Sequence, residues 1–546
     1  MNLKRAASIF LCAAFMLSPF IVSAGPEIVP APKESIKGNG FVTIGNDWNI
    51  VVCSKEEEVL VLSEYLREKM GSGFDLGLGI KQDVPGAAKG IELGLSSKGI
   101  EGKGKEAYVL EVSGGSISIN GNGPAGIFYG IQSLLQLAAR GDNGVTVNAV
   151  KITDYPALKY RGVHICSADL KHIKEQLDVM AGLKLNIAII DNWGYYDLDK
   201  PETARVFRDI FDYARKLYIE PVPEIANFGP GGPILIREPY AAEGIYEKDE
   251  PFSFVNDQAV SMRPSKHSLV NVIRSSDSNI VIKSIDGSRT YREGSDYRVI
   301  DGDMAYPYPL SARPSNIVRI TSGRIKDHEK VLVSYDYVEC KSVTWAPWSI
   351  PYCPSSGLAY KVIFHAVDNV IDTLNPRYIN IGHDEVRGLN RDSRCLGTGA
   401  TNAELFAGDI NKIYDYVKSV DPDVKLLMWD DMIDPWHNGN NENYQVEFGG
   451  PAGSTQAAID LIPKDMILMV WWYDAADWLT VMKNAPAYFE SKGFKYLVAA
   501  YKDNKNIGDF EKIAKGRPKC AGFITTTWDG WDKNTQGIRY TAEKAW

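Results

Sequence analysis

Apolar positions follow two rhythms along the chain. Between residues 26 and 155, short alternating segments mix with two stretches of helical spacing. Alternation and short apolar runs predict strands over 48–53, 90–95, 108–113 and 116–120, with Gly114-Gly115 supplying a tight hairpin turn. Val59, Leu60, Leu62 and Leu66 share one side of a helix predicted over 56–70. A second helix is predicted over 124–138, with Pro124 suited to its first turn. These elements make a small α+β domain over 25–155.

From Leu158 the rhythm becomes strand, helix, strand. Buried apolar runs are predicted over 160–166, 186–191, 219–224, 378–382, 424–429, 466–472, 496–500 and 522–528. Helical segments over 169–183, 202–217, 358–374, 403–420 and 476–492 cross between them, and a short last helix precedes Trp546. Eight such runs with helical crossovers are the signature of a parallel (β/α)8 TIM barrel spanning 156–546. A β-rich insert over 251–343 interrupts it after the third strand. Its strands are expected over 279–283, 297–300, 316–321 and 331–337, with turns at Asp286-Gly287 and Asp301-Gly302.

Lys4 and Arg5 precede an apolar stretch ending in Val22-Ser23-Ala24. That run is short and carries Pro19, so residues 1–24 are expected to be a signal peptide rather than a span. Export to the periplasm or the outside follows, with cleavage near Ala24. Six cysteines beyond Cys12 are too sparse for a disulfide scaffold. Cys340 and Cys353 are the nearest pair in sequence, and connectivity stays open. Sixty basic and 69 acidic residues give a net charge of −9 without a long basic block. Nucleic acid and anionic membrane are therefore not expected partners, and a polar or neutral small substrate fits better. Oligomeric state cannot be read.

In this barrel, chemistry sits at the C-terminal ends of the strands. There the sequence places Asp191-Asn192-Trp193, Pro223-Glu224, His383-Asp384-Glu385, Trp429-Asp430-Asp431, Trp471-Trp472-Tyr473, Tyr501-Lys502-Asp503 and Trp528-Asp529. Eleven of the twelve tryptophans lie at or after Trp193. Flat aromatic faces beside carboxylates suit a sugar, whose rings stack and whose hydroxyls bond. Asp384 and Glu385 are the sharpest pair, because glycoside hydrolysis needs an acid for the leaving oxygen and a partner for the cationic anomeric carbon. On a strand, neighbours point opposite ways. The pair could thus reach a sugar from two sides. Asp384, ionised, would hold the Glu385 proton by like-charge repulsion.

These residues resemble glycoside hydrolase family 20, the β-N-acetylhexosaminidases. Residues 106–110 and 126–137 are similar to its non-catalytic, zincin-like N-terminal domain. That domain lacks zinc in the family, and here no histidine precedes His164. Tyr160-Arg161-Gly162 resembles the entry to the barrel, which implies that Arg161 binds sugar hydroxyls. Ile381-Gly382-His383-Asp384-Glu385 resembles the catalytic signature, with His383 where the family has glycine. The resemblance assigns Trp429, Trp472 (or Trp471) and Trp528 to the acetamide pocket. It places Tyr501 of Tyr501-Lys502-Asp503 on the acetamide oxygen, and Asp191 and Asp503 among the substrate-binding residues. Cys166 stands where the family has aspartate, Ala226-Asn227 interrupts another motif, and Asp529 is the nearest acid after Trp528.

The resemblance implies a retaining exo-glycosidase for terminal β-linked N-acetylhexosamine, with no cofactor or metal. Asp384 would orient the acetamide nucleophile, and Glu385 would be general acid and then base. The alternatives are a barrel exo-glycosidase of different sugar specificity and an inactive glycan-binding paralogue.

Overall fold

The computed structural model describes residues 27–82, 89–141, 144–265, 268–339, 349–439, 454–473 and 478–546. The expected signal peptide and Cys340 lie outside these residues.

Eight parallel strands close into a barrel. In chain order they are Tyr160–Cys166, Ile187–Asp191, Glu220–Glu224, Tyr378–Asn380, Lys425–Trp429, Ile467–Trp471, Lys495–Tyr501 and Cys520–Thr526. They are called barrel strands one to eight below. Side chains that alternate inward, such as Ile189, Val222, Leu427, Met469 and Ile524, fill the interior as a separate core. The outward side chains pack under the crossover helices.

Two helices differ from expectation. The last, Trp531–Ala545, is a full 15 residues rather than a short one. Helix Asn504–Ala514 links barrel strands seven and eight. Asp503 is its N-cap, accepting the Lys505 and Asn506 backbone N–H groups. That role corrects the assignment of Asp503 to the substrate.

The N-terminal domain is an eight-stranded sheet with helices Glu57–Phe74 and Pro124–Leu137. Gly114 and Gly115 have φ of 57° and 82°, the left-handed geometry that a two-residue hairpin requires. A long antiparallel pair, Glu34–Ile44 with Gly144–Asp154, adds strands that the pattern did not reveal. A separate six-stranded antiparallel sheet lies between barrel strands three and four. It begins at Ile245, ahead of Pro251, and its last strand ends at Tyr337. Phe252, Phe254, Ile282, Val331 and Val333 give it a core of its own.

A polar knot joins the N-terminal domain to the barrel base. Arg161 is fully buried near the start of barrel strand one and binds Glu106 at 2.8 Å. It also donates to the carbonyls of Leu158, Lys159 and Lys184. Lys184 binds Asp154 at 2.8 Å, and Asp154 accepts the Trp546 indole N–H. The Trp546 ring lies between the two cations, 4.9 Å from Arg161 and 4.6 Å from Lys184. Arg161 therefore does not reach the sugar site. It precedes the strand end at Cys166 by five residues, roughly 16 Å of strand.

Losing one partner of this buried pair strands the other charge. Lys184→Met should therefore destabilise the fold by about 3–5 kcal/mol in denaturant unfolding. An unchanged midpoint would show that the knot contributes nothing.

Candidate active site

The rim formed by the strand ends encloses a cavity of about 480 Å³, a fitting size for a small polar ligand. Asp384 and Glu385 line it together with Trp429, Trp471 and Trp528. Asp191, Cys166 and Tyr473 contribute as well, and Trp193 stands exposed among its lining residues.

The acid pair does not lie on a strand. Barrel strand four ends at Asn380, and Gly382, His383 and Glu385 take positive φ of 65°, 71° and 46°. A non-glycine residue in this region is strained and needs holding. His383 is held from behind, its Nε2 2.8 Å from Asp409 and its Nδ1 2.7 Å from the Ile381 carbonyl. The Asn380 side chain accepts the Gly382 N–H. Asp431 accepts the Glu385 N–H at 2.9 Å. A Cβ on Gly229 would overlap the Asp384 carbonyl oxygen, so glycine alone lets the segment after strand three pass.

The aromatic walls are interlocked. Trp429 is buried and points its indole N–H at Glu224, 3.4 Å away. Trp471 donates to Asp431 at 3.4 Å, and Trp528 donates to the Tyr473 hydroxyl at 3.1 Å. His164 packs beneath, 4.5 Å from the Trp528 ring and 5.3 Å from that of Trp429. Its Nε2 meets Glu224 at 2.8 Å.

Two assignments are corrected here. Trp471, not Trp472, is the wall; Trp472 packs against His437 instead. Tyr501 does not line the cavity. It stacks beside Tyr473, with the Lys502 ammonium over its ring. Tyr473 takes the inner position, accepting from Trp528 and Thr526. Asp529, the nearest acid after Trp528, is bound to Lys502 and Asn534, and its pKa is lowered to about 2.

Carboxyls crowd the site. Burial pushes Asp384 well above the usual carboxylate range, and the charges of Asp431, Glu385 and Glu224 push it further. Burial and Glu224 raise Asp191 to about 7. Burial raises Asp431 and Asp434 to about 7 as well. Glu385 is bound by Arg387 at 2.8 Å. The expectation of an ionised Asp384 thus meets an environment that favours its protonated form. Burial and the neighbouring Asp191 and Glu224 charges push the Cys166 thiol far up, so it is no nucleophile.

Among the described residues, two clusters have the spacing of metal ligands. His164, Asp191 and Glu224 form the first, at the cavity floor. Glu224 there already accepts from Asn380 and pairs with His164, so its oxygens are engaged. The second, Glu243, Cys353, Asp392 and Cys395, lies outside the cavity lining.

Residues 25–155 match the family model described as glycosyl hydrolase family 20, domain 2. A β-hexosaminidase of Porphyromonas gingivalis is 30% identical over 293 residues, which are 44% of this chain and 37% of that protein. The chain is thus similar to family 20 β-hexosaminidases, through its N-terminal domain and over part of its length. A lacto-N-biosidase of Bifidobacterium bifidum is 22% identical to this family 20-like chain over 531 residues, 92% of the chain and 37% of that protein. The chain thus spans little more than a third of the length of these curated relatives. The β-N-acetylhexosaminidase of Bacteroides fragilis shares the fold, with a TM-score of 0.60 at 14% identity over 96% of this chain and 91% of that one.

The carboxyl crowding has a consequence for stability. Asp434 has a native pKa of about 7, and its Oδ2 has no hydrogen-bond partner. A raised native pKa favours folding below the unfolded value of about 4, and that contribution is lost as pH rises through 7. Asp434→Asn should therefore raise the Tm at pH 8 and change it little at pH 4. An equal shift at both pH values would remove the electrostatic explanation.

Proposed function

We propose that this chain is an exported exo-acting glycoside hydrolase that removes terminal β-linked N-acetylhexosamine with retention, using the substrate's acetamide as nucleophile. The observation that carries this reading is the joint placement of Asp384 and Glu385 on a cavity walled by Trp429, Trp471 and Trp528. Two relatives, from Porphyromonas gingivalis and Vibrio vulnificus, are named β-hexosaminidases. The carboxyl-rich floor suits a reaction whose anomeric carbon turns cationic.

Glu385 gives its proton to the leaving oxygen and later takes one from water. Arg387, 2.8 Å from Glu385, fixes the orientation of that carboxyl. Asp384 accepts the acetamide N–H and stabilises the oxazolinium cation. That cation lowers the Asp384 pKa by opposite charge, countering the burial and the acidic neighbours that raise it. No cofactor enters the scheme.

A second reading has its own support. Arg161 and Tyr501, to which the resemblance gives sugar contacts, are absent from the cavity lining. An exo-glycosidase of altered sugar specificity accommodates that. A panel of chromogenic glycosides separates the readings: preferential turnover of N-acetyl-β-hexosaminides supports the first, and preference for another sugar supports the second. No turnover of any member would leave a glycan-binding protein.

Glu385→Gln should lose most activity, by roughly 10²–10⁴-fold, on poor leaving groups and far less on activated aryl glycosides. Asp384→Asn should be impaired on both, and should bind a thiazoline mimic of the intermediate more weakly. Near-wild-type turnover by both variants would defeat the mechanism. Because Asp384 acts as the anion, kcat/KM should fall on acidification through a pKa above the ordinary carboxylate range. An acid limb near pH 4 would contradict the burial argument.

A further inference from the structure

Cys353 lies just before helix Gly357–Leu374, and Cys395 lies in the short helix Ser393–Leu396 after the acid-pair loop. They are 42 positions apart in sequence, yet their Sγ atoms are 3.4 Å apart. Neither thiol is exposed. We propose that Cys353 and Cys395 form a disulfide when the chain folds in an oxidising compartment, fastening the segment that follows Asp384-Glu385 to the helix behind it.

The neighbouring acids decide between this and a metal. Asp392 spends both oxygens: Oδ1 accepts the Arg394 and Cys395 backbone N–H groups, and Oδ2 accepts the Arg394 guanidinium and the Gly244 N–H. Oε1 of Glu243 accepts the Arg391 and Asp392 N–H groups. Two thiols and one carboxylate oxygen remain, fewer than the four donors of a closed structural site. The sulfurs face each other, and a short approach brings them to bonding distance.

The chemistry balances with an external disulfide, such as oxidised glutathione or a dithiol–disulfide oxidoreductase. The Cys395 thiolate attacks that disulfide and releases one thiol. The Cys353 sulfur then attacks Cys395 Sγ, releasing the second thiol. The two protein thiol protons end on the two released thiols. Because both cysteines are buried in the native fold, this exchange must precede closure of the loops. The finished bond would then resist reductant until the protein unfolds. The inference does not depend on the glycosidase reading.

The test is peptide mass mapping of the full chain, refolded with and without oxidised glutathione, then denatured and alkylated without reductant. The expected product is a Cys353–Cys395 cross-linked peptide pair lacking both thiol hydrogens, found only in the oxidised sample. That sample should melt about 5 °C above the reduced one. Under native conditions, dithiothreitol should leave the link intact. Alkylation of both cysteines in the oxidised sample, a link from either one to a different cysteine, or one tightly bound zinc per chain with both thiols reduced would each overturn the proposal. These readouts use the unmutated chain, so misfolding of a cysteine variant cannot obscure them.

Discussion

The cavity and the buried layer beside it hold a cluster of carboxyls displaced from their ordinary titration. Asp384, Asp430, Asp431 and Asp434 are all displaced upward, chiefly by burial and also by one another's charge. Asp191 joins them through Glu224. Against this, His164 and Arg387 are the basic groups paired with site carboxyls. Such an arrangement is costly in the resting protein, since a like-charged cluster out of water opposes folding. The cost turns to advantage when a positive charge develops inside the cluster, because the dipoles and charges are already in place.

Crowding alone does not aim the acids; the backbone does. Glycine at 229 and 382 allows two chain segments to approach closely, and His383 holds a left-handed conformation through Asp409 on the far side. Asp431 links three parts of the site through one carboxylate. It accepts the Glu385 N–H, the Asn438 amide and the Trp471 indole. The acid loop and an aromatic wall therefore share one anchor. The parallel barrel makes this possible, since the ends of strands four, five and six meet on one rim. The inserted sheet keeps a core of its own and leaves the barrel register intact.

The barrel was legible because its strands are short, apolar and buried on both faces, and the observed strand bounds fall within two residues of the pattern. The edge pair of the N-terminal domain was not legible. Most of Glu34–Phe41 is exposed and carries glycines at 38 and 40, so it shows no clean alternation. Helix Asn504–Ala514 hid for a related reason: its buried face is carried by only a few residues, such as Ile507, Phe510 and Ala514. Among site residues, the sequence marked strand ends but could not say which neighbour faces inward. Trp471 and Trp472 differ only in parity, and the same holds for Arg161 beside Tyr160 and Gly162. Asp503 carried a helix-cap signal that a motif match overrode. Tyr473 stood directly after the two tryptophans, and nothing in its local pattern set it above Tyr501. Asp431 was visible as an acid, but its hydrogen bonds arise only when strands four to six are brought together.

The structure keeps Asp384, Glu385, Trp429, Trp528 and Asp191 at the cavity. It withdraws Arg161, expected on sugar hydroxyls, and Tyr501, expected on the acetamide oxygen. Arg161 is committed to six protein oxygens and the Trp546 face, and no rotamer change could free it without breaking the domain contact. The lining offers Asn227, Cys166 and Tyr473 beside the carboxyls of Asp191, Asp384 and Glu385. A guanidinium only donates hydrogen bonds, whereas an ionised carboxylate only accepts them. With Arg161 turned to the domain contact, the lining is therefore rich in acceptors, and it favours ligand groups that donate.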